Sequence, residues 1–314
     1  MKYFIKKLVT LIITLLLISL LTFTAFSVIP GDAALARLGD DATEEQIEAF
    51  REEMGLNDPL PVRYVDWLSE AVRGDFGASY YYDNMTVGEL LSDRLPVTVM
   101  LAVISLLMIL ICSVPLGLLC ARGAGGVLDH AVNQILQTVM AVPSFFLGIL
   151  LTYAFGLVLH WFQPGQFVEP SESFFGAASY LVFPALAVAL PKIAMVVKFL
   201  RNAVLSELSK DYVRTAKSRG NSSRRILYVH VLKNAMIPVI TFTAMVVAEI
   251  LAGSIIVEQV FSVPGVGRLL ISSIFNRDYP VVQAIVMYIT LVVVAVNFLV
   301  DFMYQLLDPR VRTS

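Results

Sequence analysis

The sequence predicts an all-α integral membrane protein with six transmembrane helices and a small helical extracytoplasmic insert. Three observations lead there. Hydrophobic residues make up 57% of the 314-residue chain and charged residues only 15%, against roughly 25% charge in a soluble domain. Mean hydropathy is +0.76. The apolar residues fall into six runs, each near or above the 20 or so helical residues that span about 30 Å of hydrocarbon.

Residues 1–29 read as a basic tail with Lys2, Lys6 and Lys7 followed by a first span. The apolar run from residue 8 to 29 exceeds the roughly 7–15 residues of a signal-peptide core. A retained helix is therefore expected, although Ala34-Leu35-Ala36 offers a possible cleavage site.

Residues 30–96 form a polar insert with fifteen acidic and five basic residues. Thr43 to Gln46 is a capping box for a helix that carries Ile47, Phe50 and Met54 on one side and stops at Gly55. Pro59 and Pro61 separate it from a second helical run, 62–73, closed by Gly74. Thr86 to Glu89 starts the helix that leads into the next apolar run. These signals describe a folded cap and not a linker.

The core, residues 97–307, holds spans at 97–121, 132–159, 178–200, 236–257 and 281–307, with a basic loop at 201–235 and a tail at 308–314. With both termini placed inside, fifteen Lys and Arg residues are cytoplasmic and seven are outside, five of them in the long insert; Lys192 lies within a span. Basic residues concentrate on the cytoplasmic side of membrane proteins, so both termini and the loop at 201–235 are expected in the cytoplasm. Pro115, Pro143, Pro184, Pro191 and Pro238 fall inside the apolar runs. Each removes a backbone donor and crowds the preceding turn, so bends or breaks are expected unless neighbours satisfy the freed carbonyls.

No enzyme site assembles from the residues. His130, His160 and His230 fall at different edges of the predicted spans. There is no His-Glu-x-x-His, no Gly-x-Ser-x-Gly and no Gly-x-x-x-x-Gly-Lys-Ser/Thr phosphate loop. Cys112 and Cys120 share one apolar helix, where eight positions separate them by about 12 Å, too far for a disulfide. Neither metal nor cofactor is expected in this chain, and nothing points to nucleic acid. Three ionisable residues do sit in or near spans: Lys192, Glu249 and Asp301. Charge in hydrocarbon costs at least about 2.5–3.5 kcal/mol, so each should face protein, water or an interface. Asp301 lies near the inner end, while Glu249 and Lys192 are candidates for a translocation pathway; Lys192 could equally reach toward the interface. Scattered carboxylates of this kind also leave open an ion-coupled carrier that works alone.

The most specific stretch is 211–238. Tyr212, Val213 and Ala216 lie on one side of a short helix, and Arg214, Lys217 and Arg219 largely on others. Gly220 supplies a helix-ending positive φ, and Asn221, Ser222 or Ser223 can cap the next helix.

Asp211-Tyr-Val-Arg-Thr-Ala-Lys-Ser-Arg-Gly220, continued by His230-Val-Leu-Lys-Asn-Ala235, resembles the cytoplasmic coupling loop of ATP-binding-cassette importer permeases of the dipeptide, oligopeptide and nickel branch. Pro30-Gly31-Asp32, Phe261-Ser-Val-Pro-Gly-Val-Gly-Arg268, Asn276-Arg-Asp-Tyr-Pro280 and Leu307-Asp-Pro-Arg-Val-Arg312 agree with it, so the resemblance covers nearly the whole chain. Where the wider superfamily tends to have Glu-Ala-Ala this chain has Arg214-Thr215-Ala216, and Lys233 stands in place of a proline. Both departures are usual for the branch. The resemblance implies a type I importer permease fold in a bacterial or archaeal cytoplasmic (inner) membrane. It further implies a second homologous permease subunit, two ATPase subunits that bind ATP and Mg, and an extracytoplasmic solute-binding protein. The coupling helix would engage the ATPase through Asp211, Tyr212, Val213, Arg214, Thr215, Ala216, Lys217 and Gly220, its small apolar face exposed to cytosol. Cargo would be di- or oligopeptides, or alternatively nickel or a metal–metallophore complex.

Overall fold

Long apolar runs become long helices because, away from water, a helix satisfies every internal backbone donor and acceptor within itself. The computed structural model describes residues 2–28, 34, 38, 42–53, 55, 57–83 and 85–307. Pro30-Gly31-Asp32, Leu35-Ala36, Met54 and the tail 308–314 lie outside them, as does the side chain of Asp301. Helices account for all the regular structure among the described residues, beside one isolated bridge, Ala78 to Thr86. Five helices are long and apolar enough to cross a membrane, or six if a pair bent by 99° counts as one span.

The helices are α1 (Lys2–Val28), α2 (Glu44–Glu53), α3 (Leu60–Ala71), α4 (Val87–Arg122), α5 (Val127–Ala141), α6 (Ser144–Leu151), α7 (Phe174–Leu208), α8 (Asp211–Ser218), α9 (Ser223–Arg225), α10 (Leu232–Val260), α11 (Val266–Phe275) and α12 (Tyr279–Leu307). Two π-helical stretches, Thr152–Val158 after α6 and Ile226–Val231 between α9 and α10, continue their neighbours.

Several boundaries differ from the sequence reading. The helix that carries the second apolar run begins at Val87, where the Thr86–Glu89 capping box signals a start. The Thr86 amide and hydroxyl both donate to Glu89 Oε2, at 2.8 and 2.9 Å, and the Glu89 amide returns to Thr86 Oγ1 at 3.2 Å. Pro96 lies inside the resulting helix. The run 132–159 is not one straight span. It breaks at Val142–Pro143, where Val142 turns extended and Pro143 caps α6. Pro115, Pro184, Pro191 and Pro238 lie within helices instead of ending them.

The chain divides into two compact units. The first comprises residues 1–98 and 264–294. Here the insert is tied to its own unit twice. On α3, Tyr64 meets Phe23 of α1 edge-on and Trp67 meets it at a tilt, with ring centroids 5.5 and 5.7 Å away, and Tyr64 Oη lies 2.8 Å from Ser19 Oγ. The loop before α4 is fastened by Asp278, which is fully buried. Its carboxylate accepts from the Ser79 hydroxyl at 2.5 Å and the Tyr80 amide at 3.0 Å, and Ser79 Oγ accepts from the amides of Tyr81 and Tyr82. Beneath it, Val87, Leu90 and Leu91 of α4 meet Val266 and Leu269 of α11 and Val281, Ala284 and Ile285 of α12 in one apolar cluster.

The second unit comprises residues 99–263 and 295–314. Its centre is α7, whose small and branched residues, Ala185, Ala187, Val188, Ala189, Ala194 and Val197, are almost wholly covered. Small residues let helix backbones approach closely in a membrane, where lipid is as apolar as leucine. At Gly117 of α4 a Cβ would stand 2.8 Å from the Leu200 side chain. Tyr180 on α7 donates its hydroxyl to the Phe261 carbonyl at 2.6 Å and accepts from the Gly165 amide at 2.9 Å.

Asp278→Ala should leave the Ser79 hydroxyl and the Tyr80 amide without their buried acceptor. The expected cost is about 2–3 kcal/mol, read as a lower thermal midpoint of the detergent-purified protein and faster proteolysis between residues 75 and 86. Unchanged values would show that the clasp contributes little.

Candidate coupling surface

Helix α8 is short because little in its sequence sustains a longer one. Asp211 in its first turn and Lys217 in its last complement the helix dipole. At the far end Gly220 adopts φ +82°. The Gly220 amide donates to the Lys217 carbonyl at 3.0 Å and the Asn221 amide to the Ala216 carbonyl at 3.3 Å, the paired bonds of a Schellman cap. The Asn221 side chain adds a second donor to the Ala216 carbonyl at 3.0 Å. Ser222 then caps α9 by accepting from the Arg225 amide. The sequence signals at Gly220 and at 221–223 thus meet in a single turn.

The apolar face of α8 is not exposed, contrary to the sequence reading. Val213 and Ala216 are only 8% and 9% exposed, because α8 packs on the π-helical stretch whose Ile226, Leu227 and Val231 are themselves buried. Eight residues carry too little apolar surface to serve both their own chain and a partner, and the local contact takes it. The free face is polar: Asp211, Arg214, Thr215 and Lys217 are exposed, with Ser218, Arg219 and Gly220 following. Three cations against one carboxylate leave that face positive.

Tyr212 holds the other end. Its hydroxyl donates to Glu207 Oε2 at 2.8 Å, and Lys210 pairs with the same carboxylate. Partial burial pushes the Tyr212 phenol above its ordinary pKa, so it remains a donor. Further up α7, Arg201 grips Asp129 of α5 through Nε to Oδ1 at 2.7 Å and Nη2 to Oδ2 at 2.6 Å. The Gly125 amide and the Asn133 side chain satisfy the remaining lone pairs of Asp129, at 2.9 and 2.8 Å. The α7 end that carries α8 is therefore clamped to α5. Nothing in the sequence reading anticipated this pair, whose members are 72 residues apart. The one available signal was an aspartate three residues after the Gly125-Gly126 pair.

The pathway candidates come together. Lys192 of α7 and Glu249 of α10 form an ion pair. The sequence reading missed Glu258. It had ended the span at 257, whereas α10 runs to Val260 and Glu258 is fully buried. Among the described residues there is no group of three or more His, Cys, Asp or Glu that could hold a metal ion.

Residues 113–313 match the family model described as the binding-protein-dependent transport system inner membrane component. Residues 1–102 match its N-terminal companion, the binding-protein-dependent transport system membrane component, N-term. The chain is 36% identical over 310 residues to a probable peptide ABC transporter permease protein, y4tP, of Sinorhizobium fredii, with 99% of each chain covered. It is 34% identical over 312 residues to the oligopeptide transport system permease protein AppB of Bacillus subtilis, again with 99% of each covered. The dipeptide transport system permease protein DppB of the same organism is 32% identical over 312 residues, covering 99% of this chain and 98% of DppB.

Arg201→Met should strand a buried carboxylate, and removing one partner of such a pair destabilises more than replacing both. A thermal midpoint several degrees lower is expected in detergent, with recovery in the Arg201→Met/Asp129→Leu double variant. Equal midpoints for wild type and single variant would remove the clamp from the account.

Proposed function

The chain belongs to the family of binding-protein-dependent transport system inner membrane components, and from that premise we propose that it is the permease subunit of an ATP-driven importer that moves di- or oligopeptides by alternating access. It is a multi-pass membrane protein of a family whose members are not themselves enzymes. The relatives named above are peptide, oligopeptide and dipeptide permeases, which favours peptides over nickel or a metallophore and an assembled importer over a lone ion-coupled carrier.

The observation that carries the mechanism is the polar face of α8, held at both ends by its own chain and otherwise uncovered. ATP and Mg are bound by two separate ATPase subunits, and closure of those subunits pushes on this face. Asp211, Arg214, Thr215, Lys217 and Gly220 meet the ATPase, while Tyr212, Val213 and Ala216 position the helix from behind. Displacement passes through the Glu207 contacts into α7 and through Arg201–Asp129 into α5, whose junction with α6 is already sharply bent. The ATPase must bind α8 differently in its two nucleotide states, or hydrolysis could not bias the cycle. A second, homologous permease completes the pathway, and an extracytoplasmic binding protein delivers cargo. The basic loop at 201–235 and both termini face the cytoplasm, as the distribution of Lys and Arg favours.

Gly220→Val tests the coupling role. A Cβ at this position meets nothing within 4 Å, so the damage is conformational: a non-glycine residue in the left-handed region costs about 1–2 kcal/mol. In reconstituted complex the variant should insert normally and retain ATP hydrolysis while peptide uptake falls severalfold. Uptake equal to wild type would count against the model.

A further inference from the structure

The ion pair between Lys192 and Glu249 sits where a purely structural pair would be poorly placed. Both residues lie in the middle thirds of long apolar helices, α7 and α10. The helices run antiparallel, since Phe199 stacks on Phe242 at 4.4 Å, seven residues along from Lys192 on one helix and seven back from Glu249 on the other. The pair therefore belongs to one straight seam, with an aromatic contact two turns away. Yet the seam does not enclose it. The Glu249 side chain is 52% exposed and that of Lys192 20%. Met245 and Ile256, four and seven residues from Glu249 on the same side of α10, are 52% and 51% exposed.

A half-open carboxylate in mid-span cannot face lipid tails, because ionised groups there turn to water, to protein or to each other. What Glu249 faces in the working assembly is therefore aqueous or polar. A peptide crossing the membrane as a zwitterion presents one ammonium and one carboxylate, and meets the same desolvation cost. The open pair offers the complement of both.

Resting on the reading of this chain as a peptide permease, we propose that Lys192 and Glu249 form a specificity site on the translocation pathway that reads the charged ends of a zwitterionic peptide. Between transport events each neutralises the other. During passage the peptide carboxylate takes Lys192 and its ammonium takes Glu249, so neither the protein nor the cargo leaves a charge bare. The pair then re-forms behind the peptide and opposes its return.

The test uses the full complex of both permeases and ATPases in proteoliposomes, with loaded binding protein in saturating excess and a free dipeptide as probe. Peptide uptake, ATP hydrolysis and complex yield are measured for wild type, Glu249→Gln and the double variant Lys192→Met/Glu249→Gln. Both variants should assemble in normal yield and keep ATP hydrolysis stimulated by binding protein, while peptides moved per ATP fall about tenfold. The double variant is decisive, because replacing both members of a merely structural pair leaves packing intact. Wild-type uptake by the double variant would overturn the proposal, as would parallel loss of hydrolysis and uptake. Failure of Glu249→Gln to assemble would overturn it too, by placing the pair at a subunit contact. A wild-type complex that moved no peptide would instead refute the importer reading on which this rests.

Discussion

A carboxylate taken out of water needs a cation or a set of donors around it, and three such carboxylates organise this molecule. Asp278 gathers Ser79 and the Tyr80 amide and so fixes the insert's last loop to the turn before α12. Asp129 gathers Arg201, Gly125 and Asn133 and so ties α5 to the lower part of α7. Glu249 has Lys192 and open space. Asp129 has two donors on each oxygen and Asp278 has one on each, and both read as fasteners. The third is half-satisfied, and a half-satisfied charge in a membrane is where function is expected.

The geometry around α8 follows from the same economy of contacts. Its two apolar side chains close against Ile226–Val231, its C-terminus closes on Gly220 and Asn221, and its N-terminal tyrosine closes on Glu207. Each contact lies within the stretch from Glu207 to Val231, so the element is set as soon as the flanking helices form. What remains for a partner is charge. On the proposed reading, an ATPase surface that met Arg214 and Lys217 would be complementary in sign, and charge complementarity governs encounter and register more than raw affinity.

Much of this was legible in the sequence wherever the signal is local. Hydropathy located the long helices, the capping boxes at Thr43 and Thr86 named helix starts, and Gly220 marked a stop that is indeed a left-handed cap. The rest was hidden for one physical reason: sequence carries periodicity but not distance. Ser79 and Asp278 are 199 residues apart, Asp129 and Arg201 72, and Lys192 and Glu249 57. Lys192 and Glu249 were each visible as anomalies, but not as partners. The same limit explains α8, where the pattern showed which side chains share a face and not which way that face turns. Pro143 and its four counterparts looked alike in sequence, and only the extended Val142 before Pro143 separates a break from a tolerated proline.

The Schellman turn and the buried contact of Val213 and Ala216 make α8 inseparable from the stretch that follows it. Grafting residues 211–220 alone into another protein would carry over the exposed charged face but leave its seat behind. The smallest transplantable module runs from Glu207 to Val231, and modularity in this protein is set by the seat and not by the part that is touched.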